Sequence, residues 1–283
     1  MRVCGLAANS LHREPRTIPA ANCTDMRIRI TLTPLTYPAF FPANQHQVAS
    51  FIYETVATVA PDFAGFLHDQ GFAAEASRKR FKFFVYSLPK LPRYHFENDG
   101  YCFSAGDVQF QIASPLPNFI EAFVSGLSRQ TELRLYGQRY ALREIEIMPP
   151  PEFSAAMRFV ALSPLTVGIQ LEGMSTKHYV RADDDRFGPL VSSNLCEKYR
   201  VLCGAEIDEE ELAFSFDWDY IRQRGGPERV SKLIAYKNIR IKGYLAPFEV
   251  RGNPALIALG WECGFGSANS QGFGMVEAAP LQR

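Results

Sequence analysis

Apolar and polar positions change period along the chain, and the changes predict its elements. Arg27 to Leu35 alternates polar and apolar, then meets Pro34 and Pro38: a strand running into a loop. Val48, Phe51, Ile52, Val56 and Val59 recur at helical spacing behind Asn44, a good N-cap. Pro61 ends that helix, and Asp62 is expected to cap a short one carrying Phe63, Phe66 and Leu67. Lys82 to Leu88 and Val108 to Ile112 read as strands. Between them, Tyr94 to Phe96 and Tyr101 to Phe103 flank Asn98-Asp99-Gly100, a hairpin turn signal. Pro115 and Pro117 open a helix with Phe119, Ile120, Phe123, Val124 and Leu127. Strands over Leu133 to Tyr136 and Tyr140 to Ile147 close the half.

Pro149-Pro150-Pro151 then punctuates the chain like a linker. Beyond it come a strand over Met157 to Leu162, a break at Ser163-Pro164, and a strand over Thr166 to Leu171. A helix follows over Pro189 to Leu202, then a strand over Leu212 to Tyr220, and a strand pair or one bent strand over Leu233 to Val250. A short helix from Pro254 to about Cys263 and a last strand over Gly274 to Ala278 end the pattern. The order is βαββαβ, given twice. The expected fold is therefore α+β, with tandem ferredoxin-like (RRM-like) domains over residues 26–150 and 151–283. Residues 1–25 lack pattern and are expected to form a disordered leader.

Length supports two domains, since 283 residues is about twice a typical one. No run of about 20 apolar residues predicts a membrane span. The six cysteines include no C-x-x-C pair, so no zinc site is expected, and reduced thiols in a cytoplasm are the simplest reading. Net charge is zero, yet the charges are segregated. Ser77 to Tyr94 holds Arg78, Lys79, Arg80, Lys82, Lys90 and Arg93 with no acid. Arg229 to Arg251 holds six more basic residues against Glu249, while acids gather at Asp183 to Asp185 and Glu206 to Glu211. A neutral chain so arranged can still turn a basic face to an anionic partner.

The sharpest local feature is Gly264-Phe265-Gly266-Ser267-Ala268-Asn269-Ser270-Gln271-Gly272-Phe273-Gly274. Glycines allow close backbone approach, and successive N–H groups can cradle phosphate. A Walker loop would need Gly-Lys-Ser/Thr, and a dinucleotide fingerprint would need a following helix; here Met275-Val276-Glu277 reads as a strand. Phe265 and Phe273 read as buttresses for the loop. The string from Gly264 to Glu277 resembles the carboxy-terminal glycine-rich motif of the repeat-associated (RAMP) superfamily, and within it the endoribonucleases that process CRISPR precursor RNA. The likeness runs from Met26 to Glu277 and takes in Ile52-Tyr53 and Leu162-Ser163-Pro164-Leu165. It implies two ferredoxin-like domains, RNA binding by the glycine loop, and metal-independent cutting of CRISPR repeat RNA into guide RNAs with no cofactor. It also implies attack by the 2′-hydroxyl, leaving a 2′,3′-cyclic phosphate and a 5′-hydroxyl.

Such chemistry needs a group to take the 2′ proton, a group to protonate the leaving oxygen, and positive charge for the phosphorane. By resemblance, Leu67-His68-Asp69 supplies the catalytic histidine, Tyr53 positions or transfers a proton, and Lys82 stabilises the transition state. The segment between His68 and Lys82 is longer than the family pattern, which leaves Lys79 or Arg80 as substitutes. His46 lies seven residues before Tyr53 on the same helix face and rivals His68. Gly264, Gly266, Gly272, Gly274, Arg78, Lys79, Arg80, Lys237, Arg240 and Lys242 are expected to bind the RNA backbone. Subunits of a CRISPR effector complex and a second copy of the chain are further candidate partners. The alternatives are a non-catalytic RNA-binding subunit of such a complex and a nucleotide-binding regulatory domain.

Overall fold

The structure is a computed structural model that describes residues 27–73, 79–170, 173, 177–208 and 212–281. Residues 1–25 and Arg78 lie outside the described residues. In the first half, β1 (Arg27–Pro34), β3 (Val85–Tyr86), β6 (Val108–Ala113), β7 (Leu133–Leu135) and β8 (Gln138–Ile147) form one antiparallel sheet in the order β3-β6-β1-β8-β7. Helices α1 (Gln45–Ala57) and α3 (Pro117–Arg129) are the two crossovers. Dropping the edge strand β7 leaves the 4-1-3-2 order of a ferredoxin-like unit. β1 is central, so Ile28, Ile30 and Leu32 are buried against Phe51, Ile52, Val56, Phe119 and Phe123 of the helices. Gly126 permits the helices to meet: a Cβ there would lie 2.2 Å from the Thr55 carbonyl oxygen.

The second half repeats the plan. β9 (Ala156–Ala161), β12 (Leu212–Phe216), β15 (Phe248–Gly252) and β16 (Val276–Ala279) pair in the order β12-β15-β9-β16, with α4 (Phe187–Cys203) and α7 (Pro254–Cys263) as crossovers. The expected α+β fold with a ferredoxin-like order in each half is the observed one. No helix among the described residues is long and apolar enough to cross a membrane.

Several boundaries differ from the pattern. α2 (Pro61–Asp69) starts at Pro61, with Ala60 before it, so Asp62 sits in the first turn and is not the cap. Lys82 to Phe84 is not strand, because Phe83 takes a φ of +53° that breaks the ladder. The strand expected to reach Tyr220 ends at Phe216, where Asp217 accepts from the Tyr220 N–H and starts α5 (Trp218–Gln223). Leu233 to Val250 holds a strand pair and the start of a third strand: β13 (Ser231–Tyr236) and β14 (Ile239–Tyr244) form a hairpin, and β15 follows separately. The stretch after Thr166 pairs as β10 (Gly168–Gln170) with β11 (Lys177–Tyr179), outside the main sheet. A further small sheet, β2 (Ala39–Pro42) with β4 (His95–Glu97) and β5 (Gly100–Phe103), has the Asn98-Asp99 turn at its tip, both residues at positive φ as the sequence implied.

The halves are joined through buried polar contacts. The Arg27 guanidinium donates to the Val276 carbonyl at 2.6 Å and the Trp261 carbonyl at 2.5 Å, and lies 3.8 Å from the centroid of the Trp261 ring. The Leu88 N–H donates to the Leu162 carbonyl at 3.0 Å. The break at Ser163-Pro164 receives the glycine loop: the Gly274 N–H donates to the Pro164 carbonyl and the Met275 N–H to Ser163 Oγ, both at 2.9 Å.

Candidate active site

Three separate stretches converge on one cleft of about 220 Å³. α1 contributes His46 and Tyr53, the end of α2 contributes His68, and the tip of the β13–β14 hairpin contributes Tyr236 and Lys237. The hairpin docks on the start of α1. The His46 and Tyr236 rings meet edge-on at 5.5 Å, and the Asn44 side chain donates to the Lys237 carbonyl at 3.5 Å. Lys237 holds a φ of +52°, which turns the chain at that tip.

The sequence-selected trio is together. The Tyr53 and His68 rings are edge-on with centroids 5.4 Å apart. Lys82 Nζ donates to the His68 carbonyl at 2.7 Å. The long segment between them does not pull Lys82 away, because Phe72 and Phe81 exchange both backbone hydrogen bonds at 2.8 Å and pin its ends. The rival, His46, shares the cleft with His68. Arg80 is exposed, while Lys79 is ion-paired with Glu197.

Environment separates the groups. His68 Nδ1 lies 2.7 Å from Asp69 Oδ1. A carboxylate only accepts, so Nδ1 carries a proton and the neutral ring keeps its lone pair at Nε2. His46 Nδ1 is buried without a hydrogen-bond partner. Burial, then the charges of Lys237 and His68, hold its pKa below the ordinary value and favour the neutral ring. Burial first, then Tyr236, raises the Tyr53 phenol well above its usual range, against the opposing effect of a hydrogen bond with Ser270. Burial lowers Lys82, opposed by Asp69 and assisted by Arg80.

Ser270 belongs to the glycine loop, whose short 3-10 turn (Asn269–Gln271) packs against α1 and β3. Gly264, Gly266, Gly272 and Gly274 are buried with φ of +86°, +71°, +86° and +80°. Their close neighbours are protein atoms: a Cβ on Gly266 would lie 2.5 Å from the Thr166 carbonyl oxygen, and one on Gly274 2.0 Å from that of Phe265. The N–H groups of Gly264, Gly272 and Gly274 already donate to Gly260, Asn269 and Pro164. The glycines therefore shape the loop, and its small polar side chains are what it offers outward. Phe265 and Phe273 are fully buried buttresses.

Sequence reasoning missed Tyr236, Ser270 and Lys198. Lys198 on α4 is buried beneath the loop, its ammonium donating to the Gly264 carbonyl at 2.7 Å, the Gly266 carbonyl at 3.2 Å and Asn269 Oδ1 at 2.8 Å. Of the second basic run, Lys237 is in the cleft, Arg240 is exposed on β14, and Lys242 is bonded to both carboxylate oxygens of Glu228 at 2.8 and 2.7 Å. Among the described residues, His95, Glu97 and Cys102 bring potential metal-ligand atoms within 4.8 Å of one another on the β4–β5 hairpin. The cross-strand pairing of His95 with Cys102 is invisible to C-x-x-C spacing. None of the three lines the cleft.

The chain is similar to known proteins over both halves. The model of the N-terminal part of CRISPR-associated protein Cas6 matches residues 41–146, and that of its C-terminal part matches residues 148–278. CRISPR-associated endoribonuclease Cas6 1 of Methanocaldococcus jannaschii is 27% identical over 251 residues, covering 89% of this chain and 92% of that protein. CRISPR-associated endoribonuclease Cas6 of Pyrococcus furiosus is 28% identical over 256 residues, covering 89% of each. A solved structure of a CRISPR-associated protein Cas6 superposes with a TM-score of 0.68 at 28% identity, over 90% of this chain and 99% of that one. With matching models across both halves and full-length relatives of one kind, the chain belongs to the Cas6 family of CRISPR-associated proteins.

Proposed function

We propose that the protein is an endoribonuclease that cuts CRISPR repeat RNA in precursor transcripts into guide RNAs, with chemistry in the Tyr53–His68 cleft. The observation that carries this reading is the meeting of the Tyr53 and His68 rings in the cleft, with the Lys82 ammonium on the His68 carbonyl beside them. The family membership and the relatives' names supply the substrate class.

The roles follow from the environments. His68 Nε2 takes the proton of the attacking 2′-hydroxyl, and Asp69 stabilises the imidazolium that results. Tyr53, held protonated, orients the reacting groups. Lys82 and Lys237 supply positive charge as the phosphorane forms. The leaving 5′-oxygen takes its proton from the Lys237 ammonium on the facing wall. The products are a 2′,3′-cyclic phosphate and a 5′-hydroxyl. Ser267 and Ser270 of the loop, with Lys79, Arg80, Lys237, Arg240 and Lys242, hold the RNA backbone; Arg78 belongs to the same basic run. Residues 26–150 and 151–283 are taken as the two folding units. The finer partners are effector-complex subunits and a second copy of the chain, in the cytoplasm.

The test is cleavage of a repeat RNA in EDTA, with and without a 2′-deoxy sugar at the cut. The natural RNA is expected to be cut and the 2′-deoxy RNA to bind and stay intact. Cutting of the deoxy substrate, or a strict need for Mg²⁺, overturns the mechanism. Binding without cutting favours a non-catalytic RNA-binding subunit.

A further inference from the structure

His46 stands at a junction. A second cleft, of about 300 Å³, opens between α1 and the β7–β8 hairpin and shares His46, Ser50 and Glu54 with the first. To these it adds Arg134 and Tyr136 from the hairpin. Tyr136 sits in the hairpin turn at a φ of +48° and is 60% exposed. Its ring packs at a tilt against Phe40, with centroids 5.8 Å apart. Core packing therefore does not account for this aromatic face. Arg134 is in no ion pair among the described residues; its cross-strand neighbour Arg139 takes the nearby carboxylate of Glu132. Glu54 is exposed on the wall common to both clefts and likewise is in no ion pair among the described residues.

An exposed aromatic face, a guanidinium and a carboxylate around one concavity are the groups that stack a base, meet a phosphate and accept from an exocyclic amine. The volume lies at the low end of small-molecule sites, which span about 300–1,000 Å³. It is of the size of one nucleotide.

We propose that this second cleft is a nucleotide subsite adjoining the cut, in which the flanking base stacks on Tyr136, Arg134 meets its phosphate and Glu54 accepts a hydrogen bond from its exocyclic amine. The proposal rests on the reading of the first cleft as the site of cleavage. It predicts a preference at that flank for a base with an amino group over uracil, read by Glu54.

The test places 2-aminopurine at one flank of the cut and then at the other. Its fluorescence and single-turnover cleavage are followed across protein concentration. Wild-type protein is expected to quench the probe at one flank. Tyr136→Asn, chosen because asparagine tolerates the left-handed backbone, is expected to lose the quenching. It should also raise the half-saturating protein concentration by roughly tenfold, the scale of one lost base stack, with a smaller fall in the saturated rate. Tyr136→Trp should restore both, and Arg134→Gln, which leaves the turn untouched, should weaken binding with quenching kept. Glu54→Gln should erase the discrimination against uracil. A wild-type protein that cuts the RNA without quenching either probe overturns the subsite alone. Quenching without cutting overturns the cleavage reading and leaves the subsite standing. Tyr136→Asn and Arg134→Gln variants that bind and cut like wild type at every concentration also overturn it.

Discussion

Tyr53 cannot be the base in this cleft. Burial and Tyr236 keep its phenol protonated, so it acts by donating or by its Ser270 contact. Tyr53→Phe should slow cleavage by roughly tenfold, the scale of one hydrogen bond to a charged group, and single-turnover rates check it. Lys82 gives a pH signature. Its role needs the cation, and burial holds its pKa below the ordinary 10.5. The protonated form is therefore lost earlier as pH rises, and the alkaline limb of the rate profile should lie below that value. Lys82→Arg, charged throughout, should shift that limb upward while lowering the rate. A limb that does not move assigns it to another group. That Tyr53, His68 and Lys82 lie close together was expected from the family resemblance, which matches each in a short motif of its own segment. Tyr236 and Lys237 were not legible as cleft residues, since no spacing rule says where a hairpin tip 190 or so positions away will dock.

At the scale of elements, the glycine loop is held by its surroundings more than by its own sequence. Lys198→Met strips three buried acceptors of their donor. At about 1–3 kcal/mol for a buried group left unsatisfied, it should lower stability by about 3 kcal/mol, read as a drop in Tm. RNA affinity should fall with it, although Lys198 lies behind the loop; unchanged affinity would separate the loop from binding. Gly274→Ala should do worse, since it meets both a positive φ and the Phe265 carbonyl. Periodicity found the long elements, such as α1 and β1, because their burial follows one face. It overran at Lys82 and Asp217, where a positive φ and a side-chain cap end a strand without changing hydrophobicity. Lys198 was unreadable, because a lysine on a helix looks solvated until the loop's carbonyls are placed over it.

Over the whole molecule, zero net charge conceals a division of labour among cations. Arg240 is exposed, whereas Lys242 is already bonded to Glu228. Arg240→Ala should therefore flatten the salt dependence of RNA affinity by slightly under one unit of log–log slope, and Lys242→Ala by less; titrations at several salt concentrations test this. The tandem ferredoxin-like plan was legible from element order alone, while the seam through Arg27, Trp261 and Val276 was not, because a strand-opening arginine gives no sign of being buried. That seam brings the loop of one half to the helix of the other, and so places Ser270 at Tyr53. We propose that RNA is cut in the cleft so formed, with His68 moving the proton. Single-turnover cleavage by His68→Ala and His46→Ala, each at saturating protein, distinguishes the two histidines. His68→Ala should be slower by roughly 10²-fold or more, the scale of a lost acid–base group, with RNA affinity nearly unchanged and a smaller loss for His46→Ala. Cleavage abolished in His46→Ala and retained in His68→Ala would contradict it.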